Sequence, residues 1–163
     1  MKTLAELTAA HPPAVNVDAQ RVRDENARTS PPILVVLDDD PTGTQSVSDL
    51  PVLTSWEPED LEWGFSTGKP AIYVMTNSRS LSPEDAKQIN REVVESAYKA
   101  IKKHDGLEIS FVSRSDSTLR GHFPLEPNTL ADAMKEQTGR DVDGIVVLPA
   151  YADAGRITVD GIH

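Results

Sequence analysis

Ile33-Leu34-Val35-Val36-Leu37, followed at once by Asp38-Asp39-Asp40-Pro41-Thr42-Gly43-Thr44-Gln45, decides the fold. Five apolar residues in a row, three of them β-branched, read as a strand buried on both faces, the kind found in parallel sheets. Three adjacent acids and a proline-led turn end it abruptly. A solvated turn would account for such acids elsewhere in a chain. Here a buried strand delivers them to the carboxyl edge of a sheet, where open α/β folds bind their ligands. A carboxylate in that position can take a proton from a hydroxyl or hold Mg²⁺.

Working outward, short β-branched runs alternate with segments of helical period. Pro51 to Thr54, Ala71 to Thr76, Glu108 to Ser113 and Gly144 to Leu148 read as four further strands. The clearest helix starts at Ser82, a good N-cap, with Pro83 in the first turn and Glu84 and Asp85 at the positive end of the dipole. Ala86, Ile89, Val93, Val94, Ala97, Tyr98 and Ile101 recur at three- and four-residue spacing and give it one apolar face. A second helix is expected within Pro124 to Gln137 and a short one after Pro58, through Leu61 to Phe65. The expected class is α/β, a mostly parallel sheet flanked by helices on both faces in three layers. Residues 1–32 carry His11-Pro12-Pro13, a charged stretch from Arg21 to Arg28 and Ser30-Pro31-Pro32. They are expected to form an N-terminal arm that packs over the domain, residues 33–163, or over a second subunit of a homodimer, with simple disorder as the alternative.

The composition narrows the function. The chain has 163 residues, one domain's worth, and no apolar run near the roughly 20 residues of a membrane span. It has no cysteine, hence no disulfide, thiolate metal site or cysteine nucleophile, and its start lacks the apolar stretch of a secretory signal; a cytoplasmic setting is expected. The net charge of −10 opposes binding to a phosphate backbone, so neither nucleic acid nor membrane is expected as a partner. An anionic small molecule would need local arginines and backbone N–H groups. The strand ends supply them. After Ala71 to Thr76 comes Asn77-Ser78-Arg79-Ser80, where an arginine fork can meet a carboxylate or phosphate while Asn77 and Ser78 give directional hydrogen bonds. After Glu108 to Ser113 comes Arg114-Ser115-Asp116-Ser117-Thr118-Leu119-Arg120-Gly121. A helix cap with surface arginines would explain one or two of these residues. The whole set suits a polyhydroxy acid, with hydroxyls and Asp116 on sugar hydroxyls and Arg114 or Arg120 on the charged end. The four histidines show no metal-ligand spacing, so no metal site is expected. No GxxxxGK[ST] or GxGxxG loop is present to cradle a nucleotide's phosphates.

The blocks LDDDPTGTQSVSDLPVLT (37–54), TNSRSLSPEDA (76–86), SRSDSTLRGHFPLE (113–126) and LPAYADAGRITVDGIH (148–163), in this order, strongly resemble the N-terminal domain of the four-carbon acid sugar kinase family. The resemblance implies ATP- and Mg-dependent phosphorylation of threonate, erythronate or an oxo-tetronate. It also implies an acid-sugar-binding N-terminal domain and an ATP-binding C-terminal domain that this chain does not carry. Carried over residue by residue, substrate contacts fall on Asp40, Arg79, Ser115, Asp116, Ser117 and Thr118. Asp39 and, from the charge argument, Arg120 complete the candidate set, with Asp40, ahead of Asp116, as the expected catalytic proton acceptor. Ser48 stands where many members carry histidine, a difference that bears on substrate choice. Two other classes compete. Asp38-x-Asp40-x-Thr42 after a strand also fits the first motif of haloacid-dehalogenase-like, Mg-dependent phosphatases, with Asp38 as nucleophile and Thr76 imitating their second motif. The third reading is a non-catalytic acid-sugar-binding module.

Overall fold

The computed structural model describes residues 3–13, 15–116, 120–151 and 154–163. The chain divides into two compact units, one formed by Met1–Pro31 with Leu148–His163 and the other by Pro32–Val147.

The first unit holds helices α1 (Leu4–Thr8) and α2 (Ala19–Thr29). Thr3 and Glu6 form a reciprocal capping box on α1. Asp18 caps α2 by accepting from the N–H groups of Gln20 and Arg21, and α2 buries none of its residues. Its side chains bond to each other instead, Gln20 to Asp24 and Arg28 to Glu25. Residues 21–28, expected only as a charged stretch of the arm, lie in this helix, whose polar residues all round give no apolar period to read. The carboxyl-terminal residues of the unit are held by two isolated bridges, Tyr151 with Arg156 and Val159 with Ile162.

The second unit is built on β1 (Ile33–Asp38), β2 (Val52–Leu53), β3 (Ala71–Met75) and β4 (Ile109–Arg114), with helices α3 (Pro58–Ser66), α4 (Pro83–Ile101) and α5 (Leu125–Thr138). All pairings are parallel and the strand order is β2-β3-β1-β4. This is the α/β class read from the sequence, an all-parallel sheet with crossover helices, consistent with a three-layer fold. Paired residues share a face. Ile33, Val35 and Leu37 of β1 with Ile72 and Val74 of β3 form the core with Leu61 and Phe65 of α3, Val93, Val94, Ala97 and Ala100 of α4, and Leu130 and Ala133 of α5. Burying each large apolar side chain contributes about 1.5–3 kcal/mol, so this layer holds the sheet. The opposite face carries Leu34, Val36, Val52, Tyr73 and Val112, and Leu34 is 41% exposed. Ser82 caps α4 as expected, its hydroxyl accepting from the Asp85 N–H.

Gly144–Leu148, expected as a fifth strand, forms none. Residues 141–150 make no ladder with β4, whose residues are all half-exposed at the sheet's edge. A β-branched run supplies a preference, whereas a strand exists only where pairing offsets the entropy of ordering the chain. Among the described residues no helix is long and apolar enough to cross a membrane.

The topology fixes where ligands have room. From β1 the chain moves to one flank through β2 and β3, then α4 carries it across to β4 on the other flank. The carboxyl end of β1 is therefore where the connections diverge, the position at which open α/β sheets form their crevice.

Candidate functional site

Three segments meet at that end, and backbone hydrogen bonds tie them together. The carbonyl of Asp38 accepts from the N–H groups of Thr76 (3.0 Å) and Asn77 (3.3 Å) and from the Thr76 hydroxyl (3.0 Å). The carbonyl of Asp39 accepts from the Arg79 N–H (3.2 Å), and the carbonyl of Arg114 from the Asp39 N–H (3.2 Å). Asn77 adopts the left-handed conformation, φ +51°, which asparagine tolerates better than most residues. That turn aims Arg79 back over the acids.

The Arg79 fork meets carboxylates of the chain itself. Its Nε and Nη2 donate to Oδ2 and Oδ1 of Asp39 at 3.0 and 2.7 Å, and Nη1 donates to Oδ2 of Asp40 at 2.5 Å. The hydrogen bonds to Asp39 raise the guanidinium's already high pKa. Asp40 also accepts from the Thr42 N–H (2.8 Å) and hydroxyl (2.6 Å). Those bonds, helped by Arg79 and Arg114, hold its carboxyl below the usual range, so Asp40 is ionised. Asp116 is clasped by Arg120, Nε to Oδ2 at 3.0 Å and Nη2 to Oδ1 at 2.9 Å.

Asp38 differs from its neighbours. It is fully buried, its Oδ1 accepts from Arg114 Nη1 at 3.2 Å, and its Oδ2 has no partner. Burial pushes its pKa up against the pull of Arg114. Gly43 lies directly on the carboxylate, leaving no room for a side chain. A second glycine of the motifs, Gly121, has φ +98°, and a Cβ there would stand 3.0 Å from Asp39 Oδ2. Both glycines are required by close approach to an acid.

Below Arg79 lies a buried polar network. The Ser78 hydroxyl donates to Glu126 Oε1 (2.5 Å), which also accepts from Asn90 Nδ2 (3.2 Å). His122 Nε2 lies 3.1 Å from the carbonyls of both Ser78 and Leu81, so that nitrogen carries the proton and donates. Ser78, expected to offer its hydroxyl to a ligand, instead spends it on Glu126. His122 and Glu126 were not singled out as site residues from the sequence; a buried acid four residues after a histidine carries no signal without the fold.

Asp39, Asp40, Arg79, Asp116 and Arg120 are thus brought into one charged cluster, and Ser115 adjoins it with a buried hydroxyl that has no partner among the described residues. Ser117 and Thr118 lie outside the described residues. The phosphatase reading loses its geometry. Asp38, its nucleophile, is sealed beneath Gly43, and the Thr76 hydroxyl is directed at the Asp38 carbonyl rather than outward. Among the described residues no three His, Asp or Glu side chains converge to hold a metal ion, since the acids of the triplet face separate partners.

Fold and site define an α/β ligand-binding domain whose polar cluster sits at the carboxyl end of a parallel sheet. The chain belongs to the sugar-binding N-terminal domain family, whose model matches residues 34–163. No curated protein and no solved structure matches it.

Proposed function

We propose that this sugar-binding domain is the acid-sugar-binding part of an ATP-dependent kinase acting on four-carbon acid sugars: threonate, erythronate or an oxo-tetronate. The observation that carries this reading is the clasp of Arg79 on Asp39 and Asp40, which joins two of the motifs that resemble that kinase family into one site. Asp40, held ionised, accepts a hydrogen bond, then the proton, of the sugar's terminal hydroxyl as that oxygen attacks. Arg79 fixes the direction of that carboxylate. Asp116, held by Arg120, and the hydroxyls of Ser115, Ser117 and Thr118 orient the remaining hydroxyl groups, while Asp39, nearly inaccessible to water, acts through Arg79. ATP and Mg²⁺ would be held by a second domain, as the resemblance to that kinase family implies. The test is calorimetric titration of the 163-residue chain with a panel of four-carbon sugar acids and with ATP. Binding of at least one acid without binding of ATP is expected; micromolar ATP binding, or no sugar acid bound, would sink the reading.

A further inference from the structure

We infer that Arg114 is the residue that takes the carboxylate of the acid sugar. This rests on the function proposed above and adds the group that separates an acid from a neutral sugar.

A guanidinium has five N–H donors. Arg79 engages all three of its nitrogens with Asp39 and Asp40, and Arg120 spends its Nε and Nη2 on Asp116. Arg114 gives one bond, from Nη1, to Asp38 at 3.2 Å, the longest ion pair of the cluster. Its side chain is 37% exposed, so its outer edge is open to a ligand, while Asp38 beneath it is fully buried. A bidentate pairing with an incoming carboxylate is therefore available to Arg114 without first breaking a clasp.

Position agrees as well. Arg114 ends β4 in register with Asp38 and precedes Ser115, whose buried hydroxyl lacks a partner. Its charge is felt at Asp40, the proposed proton acceptor. In a four-carbon acid only three carbons lie between the carboxylate and the terminal hydroxyl, so the cation and the proton acceptor must be close neighbours.

The experiment is calorimetric titration of the full chain, and of Arg114→Gln and Arg114→Lys, with threonate, erythronate and the uncharged tetritols. Arg114→Gln is expected to weaken acid binding about tenfold or more and to collapse the ratio of acid to tetritol affinity. Arg114→Lys keeps a cation above Asp38, should melt like the parent chain, and should bind the acids with intermediate affinity because an ammonium is no fork. Undiminished acid affinity in both variants would overturn the inference, as would an equal loss for acids and tetritols. Failure of the parent chain to bind any sugar acid would overturn the proposed function, and this inference with it.

Discussion

Arg79 grips Asp39 through two parallel hydrogen bonds of 3.0 and 2.7 Å while its third nitrogen reaches Asp40. A lysine placed there offers one ammonium and can satisfy only one of these carboxylates at a time. Arg79→Lys is therefore expected to lower acid-sugar affinity about tenfold, by letting the Asp40 carboxylate leave the direction that Arg79 gives it. It should also lower the melting temperature, because Asp39 is nearly inaccessible to water. Calorimetry and a thermal melt on the same variant check both halves.

Asp38 and Asp40 separate the enzyme classes. In a complete kinase, Asp40→Asn is expected to cost about a hundredfold or more in turnover with ATP and threonate or erythronate, the scale of general-base help. Asp38→Asn should cost less, acting through Arg114 and the turn beneath Gly43. Hydrolysis of a generic phosphate ester that depends on Asp38, with a trappable phosphoaspartate, would contradict both expectations.

Stability should depend on pH through the buried acid. The folded chain raises the pKa of Asp38 above its ordinary value of 3.8, so between the two values the native state holds a proton that the unfolded state has released. Stability is then full below the ordinary value and falls as pH rises through the raised one. Arg114, Asp39 and the Asp40 N–H face the same carboxyl and set how far it moves. In Asp38→Asn that loss is absent, so the melting temperature of the parent chain should fall relative to the variant from about pH 4 upward. Parallel pH profiles for the two proteins would refute the assignment.

At Gly121 an alanine would have to hold φ +98° and bring its methyl to 3.0 Å from Asp39 Oδ2. Gly121→Ala is expected to destabilise the chain by about 1–3 kcal/mol and to weaken sugar binding by disturbing the Arg79 clasp. Gly68→Ala shares the positive φ but meets nothing within 4 Å, so it should cost stability alone. Denaturant unfolding and calorimetry on the pair distinguish strain from displacement.

What was legible in the sequence was whatever local chemistry dictates. The buried run before the acid triplet, the Ser82 cap and the apolar period of α4 placed the strands and helices of the core within a residue or two. The strand-end rule then pointed to the segments that carry Asp39, Asp40, Arg79, Asp116 and Arg120, which the fold pairs with one another. What stayed hidden depends on pairing across the fold. No spacing says that Arg79 chooses Asp39, that Glu126 reaches Ser78, or that Arg114 keeps donors to spare. Gly144 to Leu148 shows the converse, a run with strand chemistry and no partner strand.

Ser78 is held from two sides, its carbonyl by His122 and its hydroxyl by Glu126, and Arg79 next to it reaches the turn after β1. Three stretches distant in sequence are thereby inherited as one piece. A loop borrowed singly from a relative with another substrate would arrive without its counterparts. Changes of preference among relatives should accordingly appear as matched sets of substitutions in all three stretches, and an alignment of many members should show these positions covarying.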